Sequence, residues 1–157
     1  MYKAWNTNSK TVVNEDITLK SCIIKLFLYK GLIGDKADYH INVDITPRND
    51  NMQIRVSDIR MTLSTYPEGK TYRPGDIKFL RDQNFGETYN GWNPGILPPV
   101  SSSQIISLTK GNHYSLVYSF WGHRHNMIKL DATVNINGET TTKALVFKKF
   151  TEVELLH

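Results

Sequence analysis

From Tyr39 to Pro47 the chain alternates: Tyr39, Ile41, Val43 and Ile45 are apolar, and His40, Asn42 and Asp44 between them are polar. Period two is the mark of a strand with one face buried, and Pro47 ends it. Upstream, Cys22, Ile24, Leu26 and Leu28 share one parity while Ile23, Phe27 and Tyr29 share the other. The β-branched and aromatic content of that stretch favours a central strand over a short helix. Between Met52 and Leu63 the phase changes: Met52, Ile54 and Val56 fall on one parity, Ile59, Met61 and Leu63 on the other. Such a change predicts a bulge or a sheet-to-sheet crossing near Ser57–Asp58.

The C-terminal third alternates most clearly. Tyr114, Leu116, Tyr118 and Phe120 form one apolar column, and Ile128, Leu130, Ala132, Val134 and Ile136 form another. A hairpin with His123, Arg124 and His125 as a three-residue loop sets Phe120 against Ile128, Tyr118 against Leu130, Leu116 against Ala132 and Tyr114 against Val134. A one-residue slip opposes apolar side chains to Asp131 and Lys129, so the pattern selects that register. Asn137-Gly138 then predicts a two-residue turn into a third antiparallel strand. Residues 66–103 differ, holding all but one of the six prolines. A long loop-rich insertion is expected there, with a helical turn or two over 76–85.

"LTKGNHYSLVYSF", residues 108–120, resembles the corner before strand F of immunoglobulin-like and fibronectin type III domains, with Leu108, Gly111 and Tyr114 in the matching places. The resemblance covers about a dozen residues. It implies a tyrosine hydroxyl bonded back to the corner backbone and an immunoglobulin-like antiparallel β-sandwich. The paired cysteines of antibody domains are absent. If 19–30 is strand B and 38–46 strand C, the resemblance puts residues 31–37 at the same end as the loop after strand F. The expected fold is therefore all-β, a single sandwich domain over 1–157.

Composition narrows the function classes. The 157 residues are 39% hydrophobic and 22% charged, ordinary for a globular chain. A net charge of +4 invites a nucleic-acid reading, but Lys and Arg are scattered, so the basic footprint is missing and no nucleic-acid partner is expected. "CIIKLFLY" is too short and too charged to span a bilayer. Cys22 stands alone in an apolar segment, the setting of an inert thiol. An extracytoplasmic protein, periplasmic or secreted, is expected, its signal not part of this sequence; a cytoplasmic one is the alternative.

Chemistry concentrates in "WGHRHNM", residues 121–127. A zinc or copper site needs three or four ligands. His123 and His125 supply two, and His113 would stand roughly 30 Å away along the same strand. Met127 adds a His-x-Met pair with His125, still short of a site. No metal and no cofactor are expected. Nucleophile elbows, phosphate loops and zinc-protease motifs are missing, so an enzyme is not expected. Recognition remains. Leu32 and Ile33 on one loop, with Trp121, His123, Arg124 and His125 on the other, would make a mixed apolar and cationic patch suited to another protein. A carbohydrate-binding alternative uses Tyr89 and Trp92, with Phe85, on the insertion; a small metal-binding protein at His123 and His125 is the third reading.

Overall fold

The computed structural model describes residues 2–14, 16–31, 37–67, 69–82, 99–123 and 125–150, with the backbone only for 80–82. In chain order the strands begin with β1 (Tyr2–Asn6), β2 (Thr11–Val12), β3 (Asp16–Thr18), β4 (Cys22–Lys30) and β5 (Tyr39–Pro47). Next come β6 (Met52–Arg55), β7 (Ile59–Thr65), β8 (Thr71–Tyr72) and β9 (Asp76–Asp82). β10 (Ile105–Leu108), β11 (His113–Phe120), β12 (Met127–Ile136) and β13 (Glu139–Lys149) follow. Among the described residues the first sheet has the order β2-β1-β13-β12-β7-β8, the second β3-β4-β5-β11-β9, and β6 pairs with β10. The two large sheets pack face to face as an antiparallel sandwich. Ile24, Leu26 and Leu28, Ile41, Val43 and Ile45, and Leu116, Tyr118 and Phe120 meet Ile128, Leu130, Ala132, Val134, Leu145 and Phe147 in one core.

Several expectations hold at the residue level. Cys22, Ile24, Leu26 and Leu28 are the buried face of β4, which lies between β3 and β5. Burial pushes the Cys22 thiol up from its ordinary range, the condition of an unreactive sulfur. The phase change after Val56 is a crossing: a 3-10 turn over Val56–Asp58 carries the chain from β6 in the small sheet to β7 in the first sheet. Its start is held by Arg55 N–H donating to Asp58 Oδ2 at 2.9 Å. Asn137 and Gly138 have φ of 52° and 77°, the left-handed pair of a type I′ turn, and Ile136 faces Glu139 across it. The tyrosine corner is present, with Thr109 N–H donating to the Tyr114 hydroxyl at 2.9 Å.

The expected hairpin between residues 114–120 and 128–134 is corrected. β11 pairs with β5, Phe120 opposite Tyr39, and with β9, Tyr118 opposite Ile77. β12 pairs with β13 and β7, Leu130 opposite Leu145 and Leu63. The two apolar columns meet across the core instead of side by side in one ladder. Facing sheets about 10 Å apart impose the same alternation as a hairpin does, so the register argument excluded a slip but not this arrangement. Residues 121–126 thus cross between sheets.

Two further expectations change. An immunoglobulin arrangement puts strands B and C in opposite sheets; here β4 and β5 are neighbours, paired from Cys22 with Pro47 to Lys30 with Tyr39. Residues 76–82 form β9 and not a helical turn, because seven of them find partners along β11. Residues 83–98, between Asp82 and the Lys78–Pro99 bridge, lie outside the described set.

Candidate recognition surface

Residues 121–126 leave the second sheet at Phe120 and enter the first at Met127. A crossing has no ladder of its own, so its backbone groups need other partners. Asp38 supplies two: its N–H donates to Phe120 O at 2.9 Å, and its Oδ2 accepts the Gly122 N–H at 2.7 Å. The Tyr39 hydroxyl donates to His123 O at 3.1 Å and accepts the His125 N–H. The Tyr2 hydroxyl donates to His125 O at 2.6 Å, and Lys149 N–H closes on Asn126 O at 2.8 Å. Tyr2 and Tyr39 meet edge to face at 5.9 Å. Burial holds the Tyr39 hydroxyl protonated well above its usual range, so it remains both donor and acceptor.

Trp121 and Gly122 interleave with the connection from β8 to β9. A Cβ on Gly75 would lie 2.0 Å from Trp121 Cζ3, and one on Gly122 would lie 2.6 Å from Tyr72 Cε1. Two rings are therefore seated on two glycines, places only a missing side chain leaves open. The seated indole still exposes 41% of its surface. His123 beside it is exposed, while His125 is half-buried and its Nε2 is buried without a hydrogen-bond partner among the described residues.

The stem of 31–37 stands at this same end. Gly31 N–H donates to Asp38 O at 2.7 Å, and Asp38 is the residue that binds the crossing. The bases of the two connections thus stand together at Asp38. Leu32, Ile33 and Arg124 lie outside the described residues, as do Phe85, Tyr89 and Trp92. Among the described residues no group of three or more His, Cys, Asp or Glu side chains could hold a metal ion. The exposed tip expected at 123–125 becomes a tethered crossing with only Trp121 and His123 facing outward among its described aromatic and imidazole side chains.

Sequence reasoning missed the groups that do the tethering. Tyr2, Asp38 and Tyr39 carry no local motif, and their partners stand 84 to 123 residues away. It also missed the outer face of the second sheet. His40, Asn42 and Asp44 on β5 and Ser115 and Ser119 on β11 point away from the core yet are buried. His40 Nδ1 shares a hydrogen bond with Ser119 Oγ at 2.9 Å, and Ser115 Oγ donates to Asp44 Oδ1 at 3.2 Å. A polar row of this kind reads as wetted from its period alone, and only the pairing of β5 with β11 shows its members bonding one another.

No family model, curated protein or solved structure matches this chain, so the geometry above carries the functional argument.

Proposed function

We propose that the protein is a non-enzymatic binding module that recognises another protein through the end of the sandwich bearing Trp121, His123 and the 31–37 stem. An extracytoplasmic setting belongs to the same proposal. One observation carries it: a partly exposed indole is seated on Gly75 while the backbone that follows is tied at Gly122, His123 and His125. Large aromatic side chains dominate protein interfaces, and one held in place in advance loses little entropy on binding. His123 adds a second outward side chain beside the indole, a ring that can hydrogen-bond a partner.

A photo-crosslinking residue at His123, with a control at Thr133 on the exposed face of β12, tests the proposal in extracts of the native source. Crosslinks should concentrate at 123. Against the partner so identified and purified, Trp121→Ala should weaken affinity by roughly tenfold or more, the scale of an interface hot spot. Equal crosslinking at 133, or unchanged affinity in Trp121→Ala, would remove the reading.

A further inference from the structure

The sandwich has a second feature, on its side rather than its end. β7 pairs with β12 along Ile59–Val134 to Thr65–Ile128, but with β8 only at Leu63 and Ser64. Its first half therefore borders a cleft of about 540 Å³ that reaches across to β9 of the other sheet. Ile59, Met61, Ile77 and Tyr118 give it an apolar floor. The Tyr118 hydroxyl donates to Ile59 O at 2.9 Å, so the polar groups of the floor are already occupied.

The rim is cationic. Arg60 and Arg73 both line the cleft. Arg60 Nε donates to Ser57 O at 3.1 Å, which fixes the guanidinium and leaves its terminal nitrogens available. Arg73 has no hydrogen bond or ion pair among the described residues. Asp131, the one acid among the described residues lining the cleft, is engaged by Lys129 at 3.7 Å. With Asp131 paired to Lys129, the two guanidinium groups leave the rim cationic above an apolar floor. Guanidinium forks match carboxylates, and the cleft's size is that of small-molecule sites, about 300–1,000 Å³.

We infer that this cleft is a binding site for a small amphipathic carboxylate, its headgroup held by Arg60 and Arg73 and its apolar body laid on Ile59, Met61, Ile77 and Tyr118. The cleft adjoins the Trp121 seat through Arg73 and Pro74, which precede Gly75, but its chemistry does not rest on the reading of that end.

Octanoate and 1-octanol, equal in apolar length and different in charge, separate the two parts of the site. Each is titrated into the full chain by amide chemical-shift mapping, with wild type and with the double variant Arg60→Gln, Arg73→Gln; both arginines are exposed, so folding should survive. Octanoate should shift the amides of Met61, Ile77 and Ser102 and bind about tenfold more tightly than octanol. The double variant should erase that advantage while leaving octanol binding as it was. Equal binding of the two probes overturns the proposal, as does an advantage that survives the double variant. So does the absence of shifts, or shifts confined to the groove of about 500 Å³ beside Tyr2 and Phe147.

Discussion

The two sheets share one core and differ on the side that faces away from it. Along β12 the outer residues Asp131, Thr133 and Asn135 are exposed while Leu130, Ala132, Val134 and Ile136 are buried. Along β11 every residue from Tyr114 to Phe120 is buried, and β5 is buried from Tyr39 to Ile45. β5 alternates polar and apolar residues as β12 does, and β11 does so except at Val117. Alternation therefore states which residues share a face, and says nothing of whether water reaches it. What distinguishes the covered face is chemistry across strands: Ser119 bonds His40, and Ser115 bonds Asp44. Polar groups that leave water need partners; Ser119 and Ser115 find them on the neighbouring strand, while Asn42 Oδ1 is buried without one among the described residues.

The difference can be broken most forcefully with a charge. Val117 is fully buried on the outer face of β11, in register with Asn42 and Lys78, and Thr133 is exposed on the outer face of β12. Val117→Asp should cost about 3 kcal/mol, the desolvation of a buried carboxylate partly offset by Lys78 opposite, and Thr133→Asp no more than about 0.5 kcal/mol. Urea unfolding of the two variants measures both. Similar costs would mean that the outer face of the second sheet is wet.

Removing a single hydroxyl is the finer probe. Ser115→Ala deletes the donor to the buried Asp44 Oδ1 and should cost about 1–3 kcal/mol, against about 0.5 or less for Thr133→Ala. A third probe acts on the inner side. Burial raises the Tyr118 pKa above its ordinary 10.0, so as pH rises the unfolded chain loses that proton first. The unfolded state then binds fewer protons than the folded one, and stability should be level below the unfolded pKa and fall above it. The slope is at most about 1.4 kcal/mol per pH unit for this group. Tyr118→Phe should flatten that alkaline decline, measured as urea midpoints between pH 9 and 11 (roughly the window of the tyrosine reference pKa). An unchanged slope would show that the hydroxyl is not held neutral by burial.

Much of the fold was legible where local chemistry decides. The Asn137-Gly138 turn needs two left-handed residues and has them; the Ser57–Asp58 crossing shows as a change of parity; Tyr114 sits at its corner. What misled was long-range. The apolar columns of β11 and β12 obey one period whether they pair or face one another, so the expected hairpin dissolved into two sheets. β9 reads ambiguously alone and becomes a strand through β11. Of the candidate site, Trp121 and His123 were legible as outward residues after a buried strand. Tyr2, Asp38 and Tyr39, which hold them, were not, because nothing near them in sequence signals a partner.

The account rests on the crossing being rigid before any partner arrives, and amide hydrogen exchange measures that residue by residue. Gly122 N–H is donated to Asp38 Oδ2 and His125 N–H to the Tyr39 hydroxyl. Both should exchange about 100-fold or more slowly than the same residues in an unstructured peptide. Protection of His125 should vanish in Tyr39→Phe while that of Leu116 in β11 stays. Exchange of both amides at peptide rates in the wild-type protein would contradict the account: Trp121 and His123 would then stand on a loose loop, and the surface proposed for recognition would not exist in the free protein.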